Sequence, residues 1–472
     1  MIPYKSIDII GGGIIGITLA TEILRLIRQR ESSTEVHLFE RRGKLGIENT
    51  EKSFEGFRTY WFTPEEIRFY LHSIHAFKDL KAHFHPQGGD SSEYTHRLMS
   101  SQYRELGYHY FLSEKDFQEA LQLREIFEEC GVPLNYYSKD EAQKIDWIHS
   151  NFNLDAFVPD EDAWIDTHFD LDKWNASGLD LDSLLPKEPN HYPIAGYVHV
   201  PIAGFISVGD VVAAYQAVFE QMGGHLHLCS RIVGLDHQST KIKTIRYRKT
   251  RESKSGELIE DDTVHQKSTD YVVNASGVWA DDLNELVIGE RLGITPHRRL
   301  AHIVQPPAGY HTDHGMVLLR NRVIRPEGDK IWLYYTVENE QPGIETAIPD
   351  HALYDTYFFK YIYPVFCYPG KSFIRNAESL GLYDSLNARG WMGHYADTAD
   401  ERPFIGVPRP DSIENYAVSS GYSGHGVQAS IAAAQGLAHT ILQLKDPPVV
   451  LIPSIYAADR DLTGLNPDHS RL

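Results

Sequence analysis

The chain has 472 residues, more than one hydrophobic core supports, so at least two domains are expected. Hydrophobic residues make up 42% and charged residues 23%, which is ordinary for a globular protein and excludes disorder on a large scale. With 45 basic and 65 acidic residues the formal net charge is -20, which opposes binding to nucleic acids and to anionic lipid surfaces.

The first predicted elements form a βαβ unit. Residues 6–10 (SIDII) predict a short buried strand, followed by a glycine-rich turn and a helical pattern that continues to about Arg30. A second strand is predicted over residues 36–39 and ends on Glu40. This order places the glycine turn at the carboxyl edge of a parallel sheet, and the predicted fold class is α/β.

The glycine turn predicts a dinucleotide site. Gly11, Gly13 and Gly16 match GxGxxG, so that the turn can be tight, the backbone can approach a pyrophosphate and the helix can pack on the strand. Glu40 stands where a carboxylate accepts hydrogen bonds from ribose hydroxyls, and an acid there argues against a 2′-phosphate. The residues predicted to contact the dinucleotide are Gly11, Gly13, Ile14, Ile15, Gly16, Glu40 and Arg41. This unit alone leaves FAD and NAD as alternatives.

Further helices and strands follow along the chain. Thr63, Pro64 and the acids after them supply a cap residue, a first-turn proline and early negative charge, which are typical of a helix start. The predicted helices cover residues 63–82, 114–130, 209–222 and a last stretch to about 444. The predicted strands cover residues 225–235, a charged hairpin over 241–269, then 271–275 and about 416–418.

Two segments lack a clear period. Residues 155–201 are rich in Asp, Pro, Asn and His, and we interpret them as an insertion or lid. Residues 353–373 are crowded with aromatic side chains, which could line a pocket, form a subunit contact in an oligomer or cover a sheet.

The far end of the chain carries the most specific motifs. Residues 400–406 (DERPFIG), and then residues 421–426 (GYSGHG) before the last helix, resemble the closing signature of the D-amino acid oxidase superfamily. Within it the sequence most resembles the sarcosine oxidase and dimethylglycine dehydrogenase branch. Four more segments are similar to family segments: residues 50–65, 204–223, 274–280 (NASGVWA) and 325–328 (RPEG).

The resemblance implies a two-domain flavoprotein. A Rossmann-type FAD-binding domain with a parallel sheet is expected over residues 1–85, 204–295 and 386–472. A substrate domain with a mainly antiparallel sheet is expected over residues 86–203 and 296–385. We expect FAD to be held noncovalently, because the stretch Trp391 to Tyr395 lacks the cysteine, and residues 46–58 lack the histidine, that tether flavin in some relatives.

The closing loop is expected to hold the flavin ring. Its glycines let backbone lie against a flat ring, and the following helix directs its positive end at the ring, which favours the negative charge of reduced flavin. With the resemblance, the further residues expected to contact FAD are Ser53, Gly56, Phe57, Ile232, Ala275, Ser276, Gly277, Trp279, Gly421, Tyr422, Ser423, Gly424, His425, Gly426, Val427 and Gln428.

Four residues are candidates for catalysis. Arg58 could neutralise flavin charge or grip a substrate carboxylate, with a surface arginine as the alternative. His394 and Tyr395 could orient the substrate or accept a proton, or could simply pack beside Trp391. Gln428 stands where several sarcosine-oxidising relatives have lysine, so the usual carboxylate grip is weakened or replaced.

The function that the resemblance implies is oxidation of an amine or amino acid. Hydride would pass from the carbon next to a neutral amine to flavin N5, and water would hydrolyse the imine. The segments 160–203 and 345–385 favour a substrate bulkier or more aromatic than sarcosine. Oxygen, a quinone or a partner flavoprotein remain open as electron acceptors. The alternatives are a flavin-dependent hydroxy acid or alcohol dehydrogenase, and a flavoprotein assembly factor without catalysis.

Other patterns predict no further site. Cys130, Cys229 and Cys367 lie far apart, so neither a disulfide framework nor a thiolate metal site is predicted, and a reducing, cytoplasmic compartment fits. The apolar N-terminal stretch is interrupted by three glycines, so we predict neither a signal peptide nor a membrane anchor. His225 and His227 share one strand face, yet without a third ligand a zinc site is not expected.

Overall fold

A computed structural model describes residues 2–84, 103–152, 154, 194–254, 256–304, 310–319, 322–335, 343, 390–408, 413–446, 448–460 and 462. Most of residues 155–201, interpreted as an insertion or lid, and all of the aromatic segment 353–373 lie outside the described residues. Both interpretations therefore stay predictions.

The described part of the chain contains nineteen strands and ten helices, and β8 to β12 and β13 to β19 follow one another with no described helix between them. The strands are β1 (Ser6–Ile10), β2 (Glu35–Phe39), β3 (Gly56–Arg58), β4 (Tyr108–Leu112), β5 (Asn135–Ser138), β6 (Gly196–Val200), β7 (Ala203–Phe205), β8 (His225–His227), β9 (Ser230–Gln238), β10 (Lys241–Glu252), β11 (Leu258–Ser268), β12 (Tyr271–Asn274), β13 (Thr295–Val304), β14 (Met316–Leu319), β15 (Arg322–Glu327), β16 (Lys330–Tyr335), β17 (Gly390–Asp397), β18 (Phe404–Gly406) and β19 (Tyr416–Ser420). The helices are α1 (Ile14–Gln29), α2 (Pro64–Lys78), α3 (Leu80–Phe84), α4 (Glu114–Gln122), α5 (Arg124–Glu129), α6 (Lys139–Ala142), α7 (Asp146–Asn151), α8 (Val208–Gln221), α9 (Ala280–Ile288) and α10 (Gly426–Ile441), with short 3-10 turns at Gly277–Trp279 and Ser454–Tyr456.

The first sheet has six strands in the order β18-β19-β12-β1-β2-β8. Its strands from β19 to β8 run parallel, which confirms the predicted βαβ unit. Ile10 at the end of β1 lies opposite Phe39 and Asn274, so the glycine turn is level with the ends of both neighbouring strands. A ligand at this edge therefore meets several loops at once.

Helices α1 and α10 pack together beside this sheet. Ala429, Ala432 and Ala433 of α10 are fully buried, and the small side chains let the two helices approach closely. The Thr18 hydroxyl donates to the carbonyl oxygen of Ser430 at 3.3 Å across the contact. The first and last helices of the chain are thus held in one core.

The second sheet has eight strands in the order β17-β13-β16-β15-β14-β4-β6-β5. Its pairs are antiparallel except β4 with β14, as the expected substrate domain requires. Strand β17 pairs with β13 here, although the expected division placed residues 386–397 with the FAD-binding part. Its position next to the closing signature in the sequence does not reveal which sheet it joins.

Two predicted elements are interrupted. The strand expected over 225–235 breaks at Cys229, whose φ of 50° turns the chain from the first sheet into the three-stranded sheet of β9, β10 and β11. The helix expected over 114–130 is divided at Leu123 into α4 and α5. Helix α2 begins as predicted, with the Thr63 hydroxyl accepting from the Glu66 amide at 3.2 Å.

None of the helices within the described ranges combines the length and the apolar character needed to cross a bilayer.

Candidate functional site

A cavity of about 470 Å³ opens at the carboxyl edge of the first sheet. Six segments line it: the glycine turn, the end of β2, the loop after it, the start of β9, Glu260 of β11, and the stretch that runs from the end of β12 into α9. The lining residues from these segments include Gly11, Gly12, Gly13, Glu40, Arg41, Asn49, Thr50, Ile232, Ala275, Ser276, Gly277 and Trp279. The structure therefore brings four of the seven residues predicted for the dinucleotide around one space, together with five of the further residues expected to contact FAD, whereas none of residues 421–428 lines it.

The glycine turn has the conformation that the motif requires. Gly11 has a φ of 111°, and a β-carbon there would collide with the carbonyl of Ala275. A β-carbon on Gly16 would collide with the carbonyl of Gly11, because helix and turn are in contact. Gly13 has more room, since a β-carbon would meet only the Thr50 hydroxyl at 3.1 Å. The backbone is thus tight at the first and third glycines and open at the second.

The start of α1 follows the glycine turn directly. Gly13 caps the helix without a side-chain hydrogen bond. The Ile14 amide donates to the Thr50 hydroxyl at 3.1 Å, and Ile14 itself is buried. Neither Ile14 nor Ile15 is among the residues that line the cavity, so the ligand contacts expected of them stay predictions. Thr50 was not predicted, because a hydroxyl so far along the chain has no spacing that links it to the turn.

Glu40 is fixed at the cavity wall. One carboxylate oxygen accepts from the Gly12 amide at 2.8 Å and the other from the Arg42 amide at 2.8 Å. Burial raises the pKa of Glu40, and the two amides oppose that rise. Each oxygen has a second lone pair, so both can still accept from ribose hydroxyls.

Arg41 and Trp279 form a flat wall beside Glu40. The guanidinium carbon of Arg41 lies 3.6 Å from the centroid of the Trp279 ring, a cation–π contact. Glu48 holds the Arg41 guanidinium from the other side at 2.9 Å. The two stacked planes suit the adenine end of a dinucleotide.

The closing loop has three residues in the left-handed region. Gly421, Ser423 and Gly424 have φ values of 76°, 45° and 86°. The Ser423 amide donates to the carbonyl of Ala396 at 3.0 Å, which fastens the loop to β17. The Ser420 hydroxyl donates to the carbonyl of Gly277 at 2.9 Å, so the loop also contacts the cavity wall.

Arg58 is buried, with 8% of its surface exposed, so the surface-arginine alternative is wrong. Its Nη1 donates to the Tyr110 hydroxyl at 2.7 Å, and its Nη2 lies 3.3 Å from His425 Nε2. The Arg58 backbone amide donates to Gln428 Oε1 at 2.7 Å. Gln428 therefore holds the backbone of Arg58.

His425 is a neutral acceptor in this cluster. Burial first and the Arg58 charge second lower the pKa of His425 to about 3. Because a guanidinium only donates, His425 Nε2 accepts and the ring proton is on Nδ1. His425 thus orients Arg58 at the N-terminus of α10.

Tyr395 and His394 are neighbours on β17 and so point to opposite faces. The Tyr395 ring covers Gly424, stacks with Tyr334 at 6.0 Å and has the Arg299 guanidinium carbon 4.8 Å from its centroid. Burial raises the pKa of Tyr395. His394 is buried as well, and its amide donates to Asn49 Oδ1 at 2.9 Å.

The turn before Arg58 packs against protein. The Ser53 hydroxyl accepts from the Glu55 amide at 3.1 Å, and a β-carbon on Gly56 would collide with the Tyr108 hydroxyl. Phe57 is 0% exposed and stacks on Tyr103 at 4.8 Å, so its ring has no surface left for a ligand. The flavin contacts expected of these residues stay a prediction. Gly56 and Phe57 could meet it only with their backbone, whereas the Ser53 hydroxyl still has a proton to donate.

Tyr422 and Val427 are also buried, at 6% and 7% exposure. Together with Gly426 they form the packed junction between the closing loop and α10, where a β-carbon on Gly426 would meet the Tyr422 side chain at 3.6 Å.

Sequence reasoning missed the aromatic and basic groups that the second sheet supplies. Tyr110 of β4, Arg299 of β13 and Tyr334 of β16 reach the cluster only because these strands share a sheet with β17. Arg299 is paired with Asp397 at 3.0 Å. No local motif surrounds any of the three.

These features fit FAD. A glycine turn open at its second position, a fixed carboxylate and a flat cationic wall suit the adenine nucleotide. A glycine loop before a helix, with a buried guanidinium beside it, suits a ring that gains negative charge.

Comparison with known proteins agrees with this assignment. The family described as FAD dependent oxidoreductase, abbreviated DAO, matches residues 7–440. FAD-dependent oxidoreductase domain-containing protein 1 of Xenopus laevis is 22% identical over 461 residues, which cover 93% of this chain and 80% of that protein. The crystal structure of L-proline dehydrogenase from P. horikoshii superposes with a TM-score of 0.64 at 20% identity and 98% coverage of each chain. Glycine oxidase from Geobacillus kaustophilus gives 0.62 at 15% identity, covering 98% of this chain and 100% of its own.

At these identities the solved structures establish the shared two-domain fold. They do not distinguish the sarcosine oxidase and dimethylglycine dehydrogenase branch from other branches. The family match spans most of the chain, including both glycine loops. The chain therefore belongs to the DAO family of FAD-dependent oxidoreductases, and FAD is its cofactor.

Proposed function

We propose that this protein oxidises a small amine or amino acid at the carbon next to nitrogen, with FAD held noncovalently. One observation carries the proposal: the Arg58 guanidinium and the N-terminus of α10 meet at His425. When bound, FAD supplies a ring that accepts hydride at N5 and gains negative charge. The Arg58 guanidinium and the positive end of α10 lie at one place, and both favour that negative charge.

Arg58 is held in a fixed orientation for this role. Tyr110 and His425 accept from its two terminal nitrogens, and Gln428 accepts from its backbone amide. A preoriented cation needs no reorganisation during hydride transfer, which is why such groups lower barriers. We assign Arg58 to the flavin charge rather than to a substrate carboxylate, because its partner His425 belongs to the flavin loop.

The proton chemistry around Arg58 favours an amine substrate. His425, with its pKa lowered to about 3, uses Nε2 to accept from Arg58 and is a poor base. Burial raises the pKa values of Tyr110 and Tyr395, so both stay protonated at neutral pH. An alcohol would need a base to take its hydroxyl proton, whereas a neutral amine releases hydride without one.

The substrate would lie between the flavin loop and the second sheet. Tyr110, Tyr334 and Tyr395 surround this region with aromatic surface. Like the aromatic segments outside the described residues, they favour a substrate bulkier than sarcosine.

The test uses purified protein as isolated. Acid precipitation should release the yellow colour into solution, as noncovalent FAD requires. Anaerobic mixing with glycine, sarcosine, L-proline and larger N-alkyl amino acids should bleach the flavin for at least one amine. Glycolate and lactate, the matched hydroxy acids, should leave it oxidised. Bleaching by a hydroxy acid alone would refute the proposal, and so would a flavin that dithionite reduces but no amine does.

The electron acceptor is tested on the same sample. After substrate has reduced the flavin, air, a soluble quinone and an electron-transferring flavoprotein are added separately. Rapid return of the yellow colour in air identifies an oxidase, and return only with one of the others identifies a dehydrogenase.

A further inference from the structure

Strands β2 and β8 place a group of metal-binding side chains at the edge of the first sheet. They pair in parallel, with His37 opposite His225 and Phe39 opposite His227. Side chains two residues apart share a face, so Glu35 and His37 lie on the same face as the two histidines of β8. His225 and His227 have no further metal ligand close to them in the sequence. The structure supplies one from β2, a strand near the start of the chain.

The geometry of this group suits a small cation. Glu35, His37 and His225 each offer one ligand atom, and these atoms all lie within 4.8 Å of one another. His37 Nε2 is 3.4 Å from a carboxylate oxygen of Glu35. The rings of His37 and His225 stack with centroids 4.5 Å apart.

A second observation concerns His37 itself. It is 6% exposed, and its Nε2 is buried without a hydrogen bond to any residue that the structure describes. Its other ring nitrogen lies 3.0 Å from Nε2 of His227. If Nδ1 donates to His227, the lone pair of His37 Nε2 faces the Glu35 carboxylate, an arrangement that a cation between them would complete.

Neighbouring charges are compatible with this. The Lys267 ammonium places a positive charge near His37. The Lys267 ammonium is itself paired with the Asp8 carboxylate at 2.8 Å.

We propose that Glu35, His37 and His225 bind a divalent transition-metal ion of the zinc type, with His227 fixing the orientation of His37. Two imidazoles and a carboxylate are a known zinc donor set, with water in the fourth position. Metal–ligand bonds of about 2.0–2.2 Å require the ligands to move closer together. Glu35, with 60% of its side chain exposed, and the exposed His225 can make that movement.

Such an ion would connect the edge strand to the FAD site. The carbonyl of His227 accepts from the Glu40 amide at 3.0 Å. A metal that clamps β8 to β2 would therefore brace the backbone of the residue that faces the ribose.

The test measures Zn²⁺ binding directly. FAD-loaded protein without a histidine tag is treated with chelator, dialysed and titrated with Zn²⁺ by calorimetry, and metal content is checked by elemental analysis. We expect one Zn²⁺ per chain. Glu35→Gln and His225→Ala should each weaken binding at least tenfold, and His227→Ala by about 10–100-fold, the usual effect of losing an outer hydrogen-bond partner. His237→Ala, an exposed histidine on β9, is the matched control and should bind Zn²⁺ normally.

Absence of saturable binding to the wild-type protein at micromolar Zn²⁺ would overturn the proposal. Equal affinity of the wild type, Glu35→Gln and His225→Ala would overturn it too. The flavin absorbance of each variant reports its folding. If His225→Ala lost its flavin, Glu35→Gln, an isosteric change at an exposed side chain, would still test whether Zn²⁺ binds at this site.

Discussion

In the proposed reaction, Arg58 stabilises the negative charge that develops beside the closing loop. Replacing it with alanine removes a buried cation that Tyr110 and His425 orient. We expect Arg58→Ala to lower the rate of anaerobic flavin reduction by roughly 10²–10³-fold and to lower the flavin reduction potential, with KM little changed. Arg58→Lys should recover part of the rate, because lysine keeps the positive charge but cannot donate from two terminal nitrogens to both Tyr110 and His425 in the geometry of a guanidinium. Stopped-flow reduction and dithionite titration measure the two effects.

The control for this prediction is Arg68→Ala. Arg68 belongs to α2, is 55% exposed and pairs with Glu129 at 2.6 Å, so its loss should change neither the rate nor the potential. A raised KM with an unchanged rate and potential in Arg58→Ala would instead assign Arg58 to the substrate carboxylate.

The junction between the closing loop and α10 depends on Gly424. Its φ is 86°, and a β-carbon would collide with the Tyr395 ring. Gly289 after α9 has a φ of 72° with nothing near its missing β-carbon. Gly289→Ala should therefore cost only the left-handed strain, about 1–2 kcal/mol of unfolding free energy, with FAD retained. Gly424→Ala should cost more and should also weaken FAD binding, measured by chemical denaturation and by fluorescence titration of the apoprotein. If the two variants bound FAD equally well, the contact with Tyr395 would not shape the flavin site.

Helices α1, α3 and α10 meet around a buried carboxylate, Glu22. Burial alone would raise its pKa, but the hydrogen bond from His83 and the charge of Arg25 bring the pKa of Glu22 from 4.5 down to about 2. Because the folded value is below the unfolded one, Glu22 stabilises the fold above about pH 4.5, and this contribution is lost as pH falls toward 2. The shift corresponds to about 3 kcal/mol.

Urea unfolding of wild type and Glu22→Gln should therefore differ most at neutral pH and progressively less as the pH is lowered below about 4.5. Glu128→Gln, on the exposed side of α5, should follow the wild type at every pH. If the loss of unfolding free energy in Glu22→Gln did not change with pH, the substitution would have removed packing and not charge.

The elements that local patterns specify were predictable. The glycine turn, the strand that ends at Glu40 and the hairpin of β10 and β11 follow from residues that are neighbours in the sequence. The membership of β17 in the second sheet was not predictable, because pairing with β13 is a contact between distant residues. Thr50, Tyr110 and Arg299 were missed for the same reason: each joins the site through tertiary structure and has no motif of its own.

FAD should hold together parts of the molecule that the sequence separates widely. The cavity is lined by the glycine turn, the end of β2, the start of β9 and the segment after β12, and the closing loop contacts that segment at Gly277. A ligand that binds only the folded state stabilises it by RT ln(1 + [L]/Kd), about 4 kcal/mol at a thousandfold excess over Kd.

Removing FAD should therefore lower the melting temperature by several degrees and speed hydrogen exchange in residues 10–16 and 421–428. Helix α4 contributes no residue to this lining or to the cluster around Arg58, and it should exchange at the same rate with and without FAD. Glu40→Gln loses the charge that we expect to face the ribose. At limiting FAD its melting temperature should lie between those of the FAD-free and FAD-bound forms, and excess FAD should return it to the wild-type value. Equal melting of the FAD-free and FAD-bound forms, or a loss of protection as large in α4 as in the glycine turn, would contradict a cofactor that stabilises the loops around this cavity.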